Sequence, residues 1–337
     1  MVLFDMPREE LERYVPEVAE PADFVEFWRG QLADAGSHPL AATFTPVATP
    51  LRHADVFDVS FAGYGGDPIK GWLHVPHRLA PNPALVVEFI GYGGGRGLPI
   101  EWLSFSAAGH LFFVMDSRGQ GGNWRTADTP DAHEGGLPGA GGFLTRGVLD
   151  PARMYYTRLY IDAARAIAAA RAYPGSAGVP VVATGASQGG ALSLAAAHLC
   201  ELAGDGVVAT MPDVPFLSHF ARAIRITGSA PYSEIIQFCK AYPHETERVF
   251  ANLSYLDVVN HARRSAVPAL FSVGLVDDIT PASTVYAAYN HYAGPKQIRV
   301  YPFNGHEGGG AWQVAAKLEF LSSLLSAPAP APRSATG

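Results

Sequence analysis

The chain has 337 residues and a net charge of −7, with 24 Lys and Arg against 31 Asp and Glu. Binding to nucleic acid or to an anionic membrane surface requires clustered Lys and Arg, and the sequence has no long basic run. Hydrophobic residues make up 48% of the chain and charged residues 16%, which excludes a disordered chain and allows a sizeable core. The composition therefore indicates a globular protein with neither nucleic acid nor a membrane as a partner.

The N-terminal segment, MVLFDMPREELERY, lacks the apolar stretch of a secretion signal, and no segment reaches the roughly 18 apolar residues of a membrane span. We therefore expect a cytoplasmic protein. Two cysteines, Cys200 and Cys239, lie in apolar helical contexts and are expected to be buried free thiols, with a disulfide as the alternative. His, Cys and carboxylate residues do not cluster at zinc-ligand spacing, so we expect no metal and no cofactor.

Predicted strands alternate with predicted helices along most of the chain. The strands are short runs rich in β-branched and aromatic residues, at 56–62, 69–75, 84–90, 111–116, 180–184, 206–211, 268–273 and 297–302. The helices are amphipathic or Ala-rich stretches, at 99–109, 151–173, 190–204 and 281–294. Helices of this length between strands predict right-handed β-α-β units and a mostly parallel central sheet with helices on both faces. A Gly-rich turn at 63–67 predicts an antiparallel hairpin in the same sheet.

Three segments interrupt this alternation. Residues 117–150 are rich in Gly, Asp and Pro and are predicted to form a long loop across the top of the sheet. Residues 212–265 favour several short helices without a strand, which is typical of a cap over an active site. Residues 326–337 are Ala/Pro-rich and are predicted to be a disordered tail. We expect a single domain over residues 1–325.

The pentapeptide Gly185-Ala186-Ser187-Gln188-Gly189 has the form G-x-S-x-G. A β-branched run precedes it and an Ala/Leu-rich helix follows, which is the context of a nucleophile elbow in an α/β-hydrolase fold. The glycines allow the strand and the helix to pass close together. The pattern therefore predicts Ser187 as a nucleophile at the N-terminus of a helix, where backbone N–H groups favour negative charge.

A nucleophilic serine needs a base, and the base needs an acid that orients it. In α/β-hydrolases the chain order is Ser, then Asp or Glu, then His. Asp277 and Asp278 follow one late predicted strand, and His306 follows the last one. The spacing does not separate the two aspartates, although Asp278 precedes a helix that it could cap.

An oxyanion hole in this fold takes one N–H from the residue after the nucleophile and one from the loop after an earlier strand. Gln188 follows the serine, and Tyr92 lies in the Gly-rich loop GYGGGRG after the strand at 84–90. These two residues are the predicted donors. A phosphate-binding loop is disfavoured, because no Gly-Lys-Ser/Thr follows the glycines.

Taken together, three motifs resemble the acetyl xylan esterase / cephalosporin C deacetylase family, carbohydrate esterase family seven. They are Arg118-Gly119-Gln120, Gly185-Ala186-Ser187-Gln188-Gly189 and His306-Glu307, and further similar segments extend the resemblance over residues 3–325. The resemblance implies Ser187 as nucleophile, Asp277 as triad acid, His306 as base, and Tyr92 and Gln188 as oxyanion donors. It also implies that Arg118 and Gln120 support the active-site loops, and that Glu307 has no chemical step.

The same resemblance implies an activity and an assembly. The substrates would be small acetylated carbohydrates, such as xylo-oligosaccharides, and cephalosporin C-like esters, with perhydrolysis to peracetic acid as a side reaction. The oligomer would be a hexamer whose internal cavity admits only small molecules. The alternatives are a serine hydrolase of other specificity, such as a longer-chain esterase or a peptidase, and a non-catalytic binding protein on the same scaffold.

Overall fold

The computed structural model describes residues 5–131 and 142–326. Within these ranges one nine-stranded sheet runs through the molecule, in the order β1-β2-β3-β5-β4-β6-β7-β8-β9. Its strands are β1 Thr43–Val47, β2 Ala54–Ala62, β3 Pro68–Pro76, β4 Leu85–Phe89, β5 Leu111–Met115, β6 Val181–Ala186, β7 Ala209–Asp213, β8 Ala269–Gly274 and β9 Lys296–Tyr301. The first three strands and β5 pair antiparallel, and all pairs from β5 to β9 are parallel. The predicted mostly parallel sheet with an antiparallel hairpin is therefore confirmed.

Helices cover both faces of the sheet, as predicted. They are α1 Arg8–Leu11, α2 Phe24–Gly36, α3 Ser104–Ala107, α4 Tyr155–Arg171, α5 Gln188–Leu202, α6 Phe220–Ile226, α7 Ser233–Ala241, α8 Thr246–Leu253, α9 Val258–Ala262, α10 Ala282–His291 and α11 Gly310–Ser326. Successive residues of a strand point to opposite faces. On β4, Val87 belongs to the core cluster that includes residues of α2, α4 and α5, whereas Val86 belongs to a second cluster that includes Phe105 of α3 and Leu321 of α11. None of the described helices has the length and apolar character needed to cross a membrane.

Several sequence-based boundaries need correction. The helix predicted at 99–109 is only α3, preceded by a 3₁₀ turn at Pro99–Glu101, because Trp102 between them has a non-helical backbone. The strand predicted at 206–211 lies at Ala209–Asp213. Ser326 is the last residue of α11 and not part of a tail. The rest of the predicted tail lies outside the described residues.

Four elements had no counterpart among the sequence predictions. They are α1, β1, α2 and α11. β1 is an edge strand that contains Pro46, a residue which lacks the backbone N–H and is confined to such edges. α2 contains Gly30, a poor helix former, and buries only three of its residues, so its helical pattern in the sequence is weak.

The segment between β7 and β8 carries the four helices α6 to α9 and no strand within the described residues. Because β7 continues to Asp213, the helical insert begins at residue 214 rather than 212. Its description as a cap, and the single-domain boundary at 325, stay predictions. The predicted long loop at 117–150 has no helix or regular strand among its described residues, and 132–141 lie outside the description.

Both cysteines are free thiols, which excludes the alternative of a disulfide. Cys200 is buried, and burial raises the pKa of its thiol to about 12. Cys239 is only half-buried, which corrects the expectation that both thiols are buried.

His74 on β3 titrates in an unusual environment. Its side chain is buried between Val56 of β2 and Phe112 of β5, and neither ring nitrogen has a hydrogen-bond partner among the residues that the structure describes. Burial lowers the pKa of His74 to about 4, so the folded protein keeps the ring neutral where the unfolded chain, with an ordinary pKa near 6.5, binds a proton. Stability from this group is therefore present at neutral pH and is lost as the pH falls from about 6.5 towards 4.

Replacing His74 with leucine is expected to stabilise the fold and to flatten its acid dependence. Lowering the pH from 7 to 5 should reduce the free energy of unfolding of the parent by about 2 kcal/mol through protonation of this histidine in the unfolded chain. The variant should not show that loss. At pH 7 the variant should gain about 1–3 kcal/mol, because two unpaired polar atoms leave the core. Urea unfolding at both pH values measures these changes, and an unchanged pH dependence would show that His74 is not the titrating group.

Candidate active site

Ser187 joins β6 to α5 in a conformation that few residues adopt. Its backbone has φ 57° and ψ −118°, in a region that non-glycine residues enter only when the surrounding structure holds them there. Two hydrogen bonds supply that constraint: the Ser187 N–H donates to the Asp213 carbonyl at 2.9 Å, and its carbonyl accepts from the Phe216 N–H at 3.0 Å. The predicted elbow is therefore present, and the serine lies at the N-terminus of α5.

The two glycines of the elbow cannot be replaced without displacing the backbone. A Cβ added to Gly185 would lie 2.5 Å from the carbonyl carbon of Gly189, and one added to Gly189 would lie 2.0 Å from the Phe89 carbonyl oxygen. Because real Cβ atoms do not approach backbone so closely, glycine at these positions lets β4, β6 and α5 meet. The pattern G-x-S-x-G is thus explained by close packing.

His306 is half-buried in the loop between β9 and α11, and Asp277 is buried in the loop after β8. The His306 Nδ1 lies 2.9 Å from Asp277 Oδ2. The Thr280 hydroxyl donates to the same carboxylate oxygen at 2.8 Å and lies 3.3 Å from the His306 Nδ1. A buried carboxylate next to Nδ1 favours the tautomer with its proton on Nδ1, which leaves Nε2 as a base.

The structure separates the two adjacent aspartates. The other oxygen of Asp277, Oδ1, accepts the N–H groups of Ile279 and Thr280 at 2.8 and 2.9 Å, which fixes the carboxylate and leaves Oδ2 for His306. Asp278 is exposed and accepts a 3.3 Å hydrogen bond from Ser229. It does not cap α10, whose N-cap position is Pro281, so the capping role suggested for Asp278 is wrong.

Ser187 and His306 line one pocket of about 670 Å³, a volume within the range of small-molecule sites. Ile90 and Tyr92 from the loop after β4, Pro231 and Glu234 from the insert, and Trp124 also line it. No hydrogen bond joins the Ser187 hydroxyl to His306 in the described part of the chain. Such catalytic hydrogen bonds are often long without a substrate and shorten in the complex.

The backbone N–H groups of Tyr92 and Gln188 donate no hydrogen bond to any described residue, in contrast to the satisfied N–H of Ser187. Gln188 is the first residue of α5, where the helix dipole adds positive potential. Both residues therefore have a donor available where the prediction requires one. Their role as oxyanion donors stays a prediction.

Gln120 forms a buried network between these two segments. Its Oε1 accepts the Gly93 N–H at 2.7 Å, and its Nε2 donates to the Tyr155 hydroxyl at 2.9 Å and to Gln188 Oε1 at 2.7 Å. Because Gly93 adjoins Tyr92, and Gln188 adjoins the serine, one side chain holds both candidate donors in place. The supporting role of Gln120 stays a prediction.

Arg118 lies further from the serine and is fully buried. It bonds the Asp162 carboxylate through Nε at 2.5 Å and Nη2 at 2.8 Å, and Asp67 through Nη1 at 2.9 Å. Burial opposes its charge, but these carboxylates raise the pKa of Arg118 above its usual value. Gly119 follows with φ +64°, where a Cβ would lie 2.9 Å from Asp131 Cβ. Both residues shape the loop and do not line the pocket.

Glu307, which follows His306, is exposed, and its Oε1 accepts from Asn304 Nδ2 at 2.8 Å. This contact, together with the Gly310 N–H donating to the Glu307 carbonyl at 2.9 Å, orders the loop that carries His306. That Glu307 takes no chemical step stays a prediction. Among the residues described, no three His, Cys, Asp or Glu side chains are placed to hold a metal ion.

Glu234 of α7 is a site residue that the sequence did not reveal. It accepts a hydrogen bond from the Tyr92 hydroxyl, and from the N–H groups of Gly142 at 3.1 Å and Leu144 at 2.9 Å. Burial, with Glu234 beside it, raises the pKa of Tyr92 far above its usual range, so the phenol remains a donor. One carboxylate thus connects the insert, the loop after β4 and the residues before α4.

Comparison with known proteins identifies the family of the chain. Over residues 1–324 the chain matches the acetyl xylan esterase (AXE1) family. The acetyl xylan esterase from Paenibacillus sp. R4 is 37% identical, with a TM-score of 0.85 and coverage of 94% of this chain and 99% of that one. Acetyl xylan esterase 1 from Thermoanaerobacterium sp. JW/SL YS485 is 32% identical, with a TM-score of 0.82 and coverage of 95% and 99%.

Acetyl esterase Axe7A of Xylanibacter ruminicola is 27% identical over 305 residues, which are 86% of this chain. This chain spans 64% of the length of that curated relative. An acylaminoacyl peptidase from Pyrococcus horikoshii, 14% identical with a TM-score of 0.54 over 81% of this chain and 41% of that one, shares the fold alone. These similarities confirm the predicted α/β-hydrolase fold. The chain belongs to the acetyl xylan esterase family, whose members are carboxylic ester hydrolases.

Proposed function

We propose that this protein is a serine esterase that removes acetyl groups from small acetylated carbohydrates, such as xylo-oligosaccharides, and from esters like cephalosporin C. The observation that carries the proposal is the placement of an elbow serine in the same pocket as a histidine that is bonded to a buried carboxylate. Family membership supports the acetyl ester as the bond that is cleaved.

In the first step His306 Nε2 takes the proton of Ser187 Oγ as that oxygen attacks the acetyl carbonyl. Asp277 holds the imidazole through Nδ1 and stabilises its positive form. The N–H groups of Tyr92 and Gln188 donate to the oxyanion, a contribution of about 3–4 kcal/mol per donor in comparable enzymes. Collapse of the tetrahedral intermediate breaks the ester C–O bond, and the imidazolium returns its proton to the departing alcohol.

In the second step water attacks the acetyl-serine ester. His306 removes a proton from that water, and the same two N–H groups hold the second oxyanion. Breakage of the serine ester bond releases acetic acid, and the imidazolium returns the proton to Ser187 Oγ. The cycle needs no redox partner, because only acyl and proton transfers occur.

The proposal includes assembly as a homo-oligomer, a hexamer by resemblance, and a cytoplasmic location. Two large aromatic side chains near the His306 loop support a contact between subunits. Phe303 is 80% exposed and Trp312 is 81% exposed. Contiguous exposed apolar surface is a mark of protein–protein contact sites.

Acetate esters are expected to react faster than longer acyl esters of the same alcohol. The pocket wall includes the polar residues Asn123 and Glu234, and a long acyl chain would have to desolvate them. We expect kcat/KM for p-nitrophenyl octanoate to be at least about 10-fold below that for the acetate, which corresponds to about 1.4 kcal/mol. Initial rates with acetate, butyrate and octanoate esters measure this.

Each alternative gives a different result in the same assay. Equal or faster octanoate cleavage would identify a longer-chain esterase, and faster cleavage of an N-acetyl peptide anilide than of the ester would identify a peptidase. Labelling of the purified protein with a fluorophosphonate separates an enzyme from a binding protein, which should not be labelled.

A further inference from the structure

The pocket extends beyond the space that an acetyl group needs. Glu88 on β4 lines it, and in the parallel pairing with β6 this residue lies opposite Thr184. Thr184 is three residues before Ser187, so this part of the pocket lies roughly 10 Å from the nucleophile along the strand direction. An acetyl group bound at the serine is too short to reach it. A group at Glu88 would belong to the alcohol part of an ester.

The carboxyl of Glu88 has no partner of its own. Strands flank β4 on both sides, so the exposed part of this half-buried residue belongs to its side chain, which the pocket reaches. It makes no hydrogen bond or ion pair with any described residue. Lys317 of α11, whose charge acts on Glu88, forms an ion pair with Asp213 and a 2.9 Å hydrogen bond to the Thr184 hydroxyl. An unpaired carboxyl in a concave site is an available acceptor.

The surroundings of Glu88 raise the pKa of its carboxyl. The pKa of Glu88 is raised to about 7, mainly because the carboxyl is buried. Lys317 lowers this pKa, Asp213 at the end of β7 raises it, and Arg125 lowers it. A carboxyl that titrates near neutral pH changes its hydrogen-bonding capacity within the working range of an enzyme. A fixed structural carboxylate would be paired and would remain ionised.

An aromatic wall lies beside this carboxyl. The Arg125 guanidinium stacks 4.2 Å from the ring centroid of Trp102 and 5.1 Å from that of Trp124, and its Nε donates to Glu101 at 2.9 Å. Trp124 is 51% exposed, and all three stacked side chains line the pocket. A flat aromatic surface combined with a few polar groups is how binding sites orient a ligand.

We propose that Glu88, Arg125 and the Trp124 ring form a subsite for the leaving alcohol, and that this subsite selects a polyhydroxylated alcohol. Glu88 accepts hydrogen bonds from its hydroxyl groups, the guanidinium of Arg125 donates to a hydroxyl oxygen, and the apolar face of the alcohol packs on Trp124. The inference rests on the proposed esterase function for its catalytic consequence, whereas the binding itself does not require turnover.

The test uses two readouts on the full chain. The first is the calorimetric Kd of xylobiose, a polyhydroxylated alcohol without an ester. The second is the ratio of kcat/KM for mono-O-acetyl-xylobiose to kcat/KM for p-nitrophenyl acetate, in which effects on the shared acetyl chemistry cancel. The variants are Glu88→Leu, which removes the polar group, Glu88→Gln, which keeps one acceptor, and Glu247→Gln on the exposed surface of α8 as a control.

Glu88→Leu should weaken xylobiose binding roughly 10-fold and lower the kcat/KM ratio by a similar factor, since a hydrogen bond to a charged group is lost. Glu88→Gln should have a smaller effect, and Glu247→Gln should have none. In the parent the ratio should change with pH around 7, and in Glu88→Gln it should not. The unfolding temperature of each variant checks that it is folded.

The outcomes separate this inference from the proposed function. If the parent hydrolyses acetyl esters and neither Glu88 variant changes the xylobiose Kd or the kcat/KM ratio, the subsite is overturned and the proposed esterase function stands. Xylobiose binding that depends on Glu88 in a protein without esterase activity supports the subsite and overturns the proposed function. Absence of xylobiose binding to the parent, at concentrations that saturate catalysis with its acetyl ester, also overturns the subsite.

Discussion

Replacement of Ser187 by alanine should lower kcat for p-nitrophenyl acetate by about 10⁴-fold or more, since no other group at the elbow can form the acyl-enzyme. The residual rate would come from the backbone donors and from binding alone. The fold should tolerate the change, because the hydrogen bonds that hold this position involve the backbone N–H and carbonyl of residue 187. Steady-state kinetics and labelling by a fluorophosphonate measure the loss.

Ser37→Ala is a matched control, since Ser37 is an exposed serine at the end of α2. It should keep the parent rate and the parent labelling. Turnover by Ser187→Ala near the parent level would mean that another residue is the nucleophile. If the unfolding temperature of Ser187→Ala falls by more than a few degrees, the kinetic loss is measured again with Ser187→Cys. That variant keeps a nucleophilic atom, and slow labelling of its thiol at the same position would still identify the elbow.

The serine, its base and its glycines could be predicted because each depends on local sequence. A strand, a tight turn and a helix meet at the elbow. Glycine is required at 185 and 189 because a Cβ added at either position would lie 2.5 Å or less from backbone atoms. His306 follows the last strand, and parallel strands bring their carboxyl ends to one edge of the sheet. Chain order and strand position were therefore sufficient for these residues.

Glu234 could not be found in this way. It is 142 residues from Tyr92 in the sequence and lies on a short helix of the insert, where a glutamate is an ordinary surface residue. Glu234 gains three donors only because α7 packs against both the loop after β4 and residues 142–144. Glu88 is similar. A glutamate in a buried strand gives no indication of a binding role until the structure shows that it lines the pocket. Contacts between distant segments carry this information.

The choice between Asp277 and Asp278 lies between these extremes. Both residues directly follow the same strand, so their spacing from it could not separate them. The family resemblance pointed to Asp277. In the structure, the Asp277 carboxylate uses one oxygen for the backbone of its own turn and the other for His306. A single turn therefore decides which of two identical side chains can act.

Substitution of Asp277 by asparagine should lower kcat by about 10⁴-fold, the effect of the corresponding change in a serine protease triad. The amide oxygen can still accept the N–H groups of Ile279 and Thr280, so the turn should persist. The amide nitrogen would then face the His306 Nδ1 as a donor. It favours the tautomer with the proton on Nε2, and that form cannot remove the proton of Ser187.

Asp278→Asn changes the same type of side chain at the adjacent position and should keep kcat within about 2-fold, because Asp278 is exposed and bonds only at the surface. The comparison of the two variants at equal unfolding temperature isolates the orientation of the histidine from the loss of one negative charge. Equal, mild losses would exclude Asp277 as the acid. A large loss in Asp278→Asn alone would require the loop to turn when substrate binds, so that the second carboxylate replaces the first beside His306.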